Sequence, residues 1–122
     1  MFTGIYLPAV CERARRSGNA ADKAEAGRLA QGLLLAASVS DVPGFIARGI
    51  GTEGRCHYPL GSEDQTLPWF YGLHAYVLSG LPDEEERLQV VSKMREVAEA
   101  LEKTNWQCPC DGDFKGEFRG DF

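Results

Sequence analysis

The sequence predicts an all-α fold: two antiparallel α-hairpins in tandem, about four helices, joined by a long Gly-rich loop with room for a short β-hairpin. Three observations carry that prediction. Apolar residues recur at helical spacing in four separate stretches. Each stretch is bounded by a capping residue or a glycine. The tetrad Phe2-Thr3-Gly4-Ile5 returns as Phe70-Tyr71-Gly72-Leu73, followed both times by a short turn and a charged amphipathic helix.

The first helix, about residues 3–16, places Leu7, Val10, Cys11 and Ala14 on one stripe and ends at Gly18. The second, about residues 20–39, has Asn19 as N-cap and Asp22 in its first turn. Its buried face is expected at Ala26, Leu29, Ala30, Leu33 and Ala37. Gly27 and Gly32 cost helix propensity and point to close backbone packing against a neighbour. The third, about residues 63–78, is aromatic-rich, and Ser62 with Gln65 fits a capping box. Pro68 inside it frees the carbonyl of Asp64, so a kink or an irregular first turn is expected. The fourth, about residues 83–103, has Asp83 and Glu86 at the N-cap and N3 positions, with Leu88, Val91, Met94, Ala98 and Leu101 as its apolar face.

These elements divide the chain into a first hairpin (1–40), a loop (41–62), a second hairpin (63–104) and a Gly-rich acidic tail (105–122). They form a single α-helical domain or a segment of a larger one. The short turns at 17–19 and 79–82 fall at one end of such an array, the loop and tail at the other. The unusual residues therefore share one face. Helical repeats usually need ~3 copies for stability, so two hairpins predict either further repeats beyond this segment or a homo-oligomer formed through exposed helix faces. The chain opens inside an apparent helix and stops within a pattern, which also reads as a segment of a longer protein.

A net charge of −5 and a pI near 5.0 argue against a nucleic-acid partner. Arg13, Arg15 and Arg16 cluster at a helix end, where cations complement the dipole. No apolar run approaches the ~20 residues of a membrane span, so no membrane partner is expected. The compartment stays open.

The loop is the chain's most informative stretch. From Pro43 to Gln65 it carries five glycines and two prolines around Arg48, Arg55, His57 and several acids. Connections in compact domains have a median of roughly 4–6 residues, and longer ordered ones tend to be functional. Phe45, Ile46, Tyr58 and Leu60 are its apolar anchors.

The string Gly44-Phe45-Ile46-Ala47-Arg48-Gly49, a Gly-rich turn, His57-Tyr58, and then Ser62-Glu63-Asp64-Gln65 with Trp69, Tyr71 and Gly72 resembles α/α-toroid proteins of the six-hairpin glycosidase type. Unsaturated glucuronyl hydrolases belong to that group. The motif covers residues 43–72, and the architecture covers nearly the whole chain. The resemblance implies inner first and third helices, outer second and fourth helices, and a carbohydrate pocket at the mouth of a ring. It implies a carbohydrate partner, uronic-acid-containing saccharides included. A complete ring needs two to three times this length, so this segment alone is expected to be inactive even if the parent is a glycoside hydrolase.

Asp64 is the candidate catalytic carboxylate, since most glycoside hydrolases set two carboxyl groups across the scissile bond. Its place at a helix N-terminus favours the ionised form and suits a base or a hydroxyl anchor; the other reading is a helix cap. Arg48 could fork onto a uronate carboxylate or close an internal salt bridge to Asp64 or Glu63. His57 could shuttle a proton or donate to a sugar, or be a packed loop residue. Gln65 belongs to the same motif as a substrate contact. Trp69 and Tyr71, near the mouth, read as core or as sugar-stacking faces, and His74 as structural.

Cys108-Pro109-Cys110 has only one residue between its thiols, short of the two to four that structural zinc pairs prefer. A disulfide from Cys56 to Cys108 or Cys110 needs an oxidising compartment. Free buried thiols, no metal and no cofactor are the expectation. The tail acids read as solvated charge, and Arg119-Gly120-Asp121 is assigned no adhesive role. The alternative function is a non-catalytic helical-repeat module whose loop docks a protein. A concave pocket joining Asp64, Arg48 and an aromatic separates the two.

Overall fold

A computed structural model describes all residues, 1–122. It contains four helices, α1 (Phe2–Ser17), α2 (Ala20–Ala36), α3 (Glu63–Leu78) and α4 (Glu84–Lys103). After them come two short strands, β1 (Gln107–Pro109) and β2 (Phe118–Asp121), with one 3-10 turn between.

α1 and α2 form an antiparallel hairpin, and the sequence sets both of its inner ends. Gly18 closes α1 in the left-handed region at φ 62°, and the Asn19 side chain accepts from the Ala21 N–H. Arg13 of α1 then pairs with Asp22 and Glu25 of α2. Asp83 caps α4 by accepting from the Glu86 N–H, as the acidic first turn predicts.

α1 and α3 lie side by side in the same direction: Gly4 meets Pro68 and Gly72, and further along Cys11 meets Ser79. α2 packs on α1, and α4 on α3. Leu7 and Val10 of α1, Leu33 of α2, Trp69 and Leu73 of α3, and Val97 and Leu101 of α4 meet in one core, with Ile46 of the loop inserted among them.

The close backbone approach falls at Gly4 and Gly72, not at Gly27 or Gly32. A Cβ at Gly72 would stand 2.6 Å from the Gly4 carbonyl oxygen, and one at Gly4 would collide with the Pro68 carbonyl. Gly32 has nothing within 4 Å. Pro8, inside α1, supplies no N–H to the carbonyl four residues back, which is that of Gly4. The freed oxygen lies against the Gly72 backbone, where a Cα–H can approach it.

Three further details depart from the sequence reading. α2 ends at Ala36 rather than near residue 39, because the Ser38 hydroxyl donates back to the Leu34 carbonyl and the returning loop places the Ala47 N–H on the Ala36 carbonyl. α4 buries Val90, Val97, Ala100 and Leu101, whereas Leu88 is 54% exposed and Val91, Met94 and Ala98 are half-buried. That helix is apolar on two adjacent stripes, and only one faces the core. At the start of α3, Ser62 does not form the reciprocal capping box. Its hydroxyl donates to the Gln65 side chain, while its carbonyl accepts from the N–H groups of both Gln65 and Thr66. Shared acceptors of this kind are common at helix termini, and α3 continues as one α-helix through Pro68.

The loop is held by Phe45, Ile46 and Ala47, all buried, while Tyr58 is 47% exposed and Leu60 half-buried. Its short β-hairpin reduces to one bridge, Ile50 with His57, and a bond from the Gly51 N–H to the Cys56 carbonyl. The tail is solvated from 112 to 122, Asp113 and Glu117 included, but Asp111 is buried. Asn105 and Trp106 turn the chain with φ of 54° and 62°, and β1 then pairs antiparallel with β2. Cys108, Cys110 and Asp111 are buried against the loop, where the Asp111 N–H donates to the Pro59 carbonyl at 2.6 Å.

Candidate functional site

The loop residue Arg48 owes its position to what precedes it. Gly44 adopts φ 80°, a turn that drives Phe45, Ile46 and Ala47 into the core and leaves Arg48 outside. Gln65, 2% exposed on the first turn of α3, then ties the loop to the helix. Its Nε2 donates to the Ile46 carbonyl at 2.8 Å, and its Oε1 accepts from the Ser62 hydroxyl at 2.9 Å and from Arg48 Nε at 3.3 Å. With Nε engaged, the two terminal nitrogens of Arg48 remain for other partners. The guanidinium lies 5.2 Å from the centre of the Tyr58 ring, within cation–π range.

Arg48 forms no ion pair. Neither Asp64 nor Glu63 closes a salt bridge with it, and Glu63 instead lies against Gly120 of β2. The arginine lines a cleft of about 380 Å³ between the loop, α1, α2 and α3, and Arg28, Thr3, Gln65 and Ile50 line it too. A second lobe of about 400 Å³, bounded by Phe2, Thr3, Arg48, Asp64 and Gln65, shares Arg48, Thr3, Gln65 and Met1 with the first. Burial, and then the charge of Arg48, hold the Met1 α-amino group below its ordinary value. Arg28 has no ion-pair partner either. On an acidic protein this is a locally cationic cleft.

Of the residues singled out from the sequence, Arg48, Gln65, Asp64 and Trp69 line these lobes, with Asp64 exposed at the lip. Trp69 lies beneath them and is 1% exposed. Its Nε1 donates to the Leu33 carbonyl at 2.7 Å and its ring meets Phe70 edge-on, so no stacking face is open. Tyr71 is 59% exposed but lines neither lobe. His57 points away, toward Asp111 of the tail.

Arg28, Thr3 and Asp111 escaped the sequence reading. Arg28 and Gly32, four apart on α2, share an exposed face, and a glycine below an arginine is the only local sign of a cleft. Nothing local marks Asp111, whose partner is 54 residues distant. The four cysteines are free; Cys56 is exposed, contrary to the expectation of buried thiols, and the other three are buried.

Comparison with protein-family models, curated proteins and solved structures gives no match for this chain. The site's chemistry therefore rests on its own residues. Two guanidinium groups and a hydroxyl around one cleft suit an anionic, hydroxylated ligand, while the Gln65 amide is committed to Ile46, Ser62 and Arg48. Asp64 is the only side-chain carboxylate lining either lobe.

Proposed function

We propose that this chain is a carbohydrate-binding helical-hairpin segment whose cleft takes a carboxylate-bearing saccharide, and that by itself it does not hydrolyse it. The observation that carries this reading is the pair Arg48 and Arg28 on one cleft, each without an ion-pair partner. Arg48 would fork onto a uronate through its terminal nitrogens, Nε staying on Gln65. Thr3 and Asp64 would meet sugar hydroxyls. Saccharide as the ligand class comes from the resemblance of residues 43–72 to six-hairpin toroid proteins. The side-by-side α1 and α3, flanked by α2 and α4, are compatible with the inner and outer layers of such a ring. Hydrolysis needs a second carboxyl group roughly 5–9.5 Å from the first, and the cleft lining supplies none. The test is calorimetric titration with oligouronides and their neutral counterparts. Acidic oligomers should bind and neutral ones should not; equal binding of both, or of neither, overturns the reading.

A second reading, a helical-repeat interaction module that associates with its own copies, is favoured by a separate observation. Phe70, Val77, Val91, Met94 and Ala98 line an open apolar groove between α3 and α4, and Phe2 and Leu78 are 77% and 72% exposed. Light scattering decides it: a stable monomer at high concentration removes self-association.

A further inference from the structure

We propose that His57 and Asp111 form a proton-operated clasp that fastens the C-terminal hairpin to the loop and, through Tyr58, sets the pose of Arg48. The effect on ligand affinity rests on the cleft reading above; the clasp itself does not.

Both ring nitrogens of His57 lie 2.6 Å from oxygens, Nδ1 from the Arg55 carbonyl and Nε2 from Asp111 Oδ2. A carbonyl and an ionised carboxylate only accept, and a neutral imidazole has one N–H to give. Both bonds are therefore made only by the imidazolium. Loss of its proton sets two lone pairs against each other at one of the two contacts, and that contact opens.

The pair is sheltered. The side chains are 15% and 9% exposed, and the Phe45 ring lies 5.5 Å from that of His57. Few other charges reach it. Lys115 stands 3.9 Å from the second Asp111 oxygen and is itself paired with Asp41 at 2.8 Å. Glu53 is engaged by the Cys56 N–H, and Arg55 presents its carbonyl. The Arg55 carbonyl, opposed by burial and aided by Asp111, raises His57 above its ordinary value. Burial pushes the Asp111 carboxyl up, but hydrogen bonds from His57, the Gly112 N–H and Ser40 outweigh it and leave the group below its ordinary value.

The sign follows from these directions. A raised histidine contributes stability in full below its unfolded value near 6.5, and loses it as pH rises through the folded value. A depressed carboxylate contributes above its unfolded value near 3.8, and loses it as pH falls through the folded one. The clasp is tightest between those two unfolded values. Its release is transmitted locally. His57 is bridged to Ile50, the next residue is Tyr58 under Arg48, and Pro59 accepts from Asp111.

The test follows the His57 ring by NMR from pH 4 to 9, alongside amide exchange across residues 105–122 corrected for the intrinsic rate at each pH. His57 should titrate above 6.5, and exchange in the hairpin should quicken at least several-fold through the same midpoint. His57→Gln, which cannot titrate, should flatten the exchange profile. Affinity for an oligouronide should fall several-fold over that step in the unaltered chain. A His57 midpoint at or below its ordinary value of 6.5, or corrected hairpin exchange that shows no step at the His57 midpoint, overturns the clasp. Hairpin release at the His57 midpoint with no oligouronide binding at any pH supports the clasp and sinks the cleft reading instead.

Discussion

Gly4 and Gly72, equivalent residues of the internal repeat, abut where α1 runs alongside α3, the carbonyl of the first lying against the backbone of the second. No side chain separates the two helices there. The approach is tight enough that even a methyl group must displace backbone.

Substitution at that contact should therefore reverse the usual helix-propensity rule. Gly72→Ala gains up to ~1 kcal/mol of propensity but overpacks a backbone contact, which typically costs about 1–3 kcal/mol. The net expectation is destabilisation. Gly32→Ala, in a helix with open space around it, should stabilise by about 0.5–1 kcal/mol. Denaturant unfolding of the two variants under one set of conditions checks the opposite signs.

Arg48→Lys preserves charge but removes both the fork and the Nε bond to Gln65. Hydrogen bonds to charged groups contribute about 1.5–3 kcal/mol, so oligouronide affinity should drop roughly 10- to 100-fold. Titration calorimetry reads the loss, and an unchanged thermal midpoint separates it from unfolding. Retention of affinity in the lysine variant would leave the fork without a role.

Trp69→Phe should affect stability rather than binding. It removes the Trp69 Nε1 donor from the Leu33 carbonyl, which keeps the Ala37 N–H, at a cost of about 0.5–1.5 kcal/mol. The saccharide titration should be unmoved at temperatures where the variant stays folded. A tenfold loss of affinity without loss of stability would place the ring in the site after all.

The thiols should divide sharply. Cys56 is exposed, whereas burial raises the Cys11 and Cys108 thiols and Cys110 is wholly covered. A thiol reagent applied to the folded chain should modify one cysteine quickly and the other three only on unfolding. Mass spectrometry of the labelled peptides identifies which.

Helices were legible wherever periodicity and caps agreed. Asn19 and Asp83 cap as their neighbours foretell, and Leu7, Val10, Cys11 and Ala14 are buried together. α4 was misoriented because Val90 and Val97 run beside Val91 and Ala98, and hydropathy alone does not choose between adjacent stripes. Gln65 illustrates a different limit. A glutamine three residues after a serine spells a capping box, but the Ile46 carbonyl, buried by a loop 19 residues earlier, recruits its amide. The tail hid for a similar reason. Asp111 sits in a run of Gly, Asp and Lys that reads as solvated, and its meeting with His57, Pro59 and Ser40 buries it. Within the candidate site, Arg48 and Asp64 were visible as unusual residues in an ordered loop. Arg28 belongs to the cleft solely because α2 folds back beside that loop.

The His57–Asp111 contact also carries a schedule. Its partners are 54 residues apart, and the acid belongs to the later-made end. At ~5–20 residues per second, a ribosome adds Asp111 roughly 3–11 s after His57. α3 and α4 are both made within that interval, and Gln65 of α3 can already hold the loop at Ile46 and Arg48 before Asp111 is added. The clasp would thus be the last of the loop's attachments to form, and a nascent chain stalled before Asp111 would carry the cleft without it.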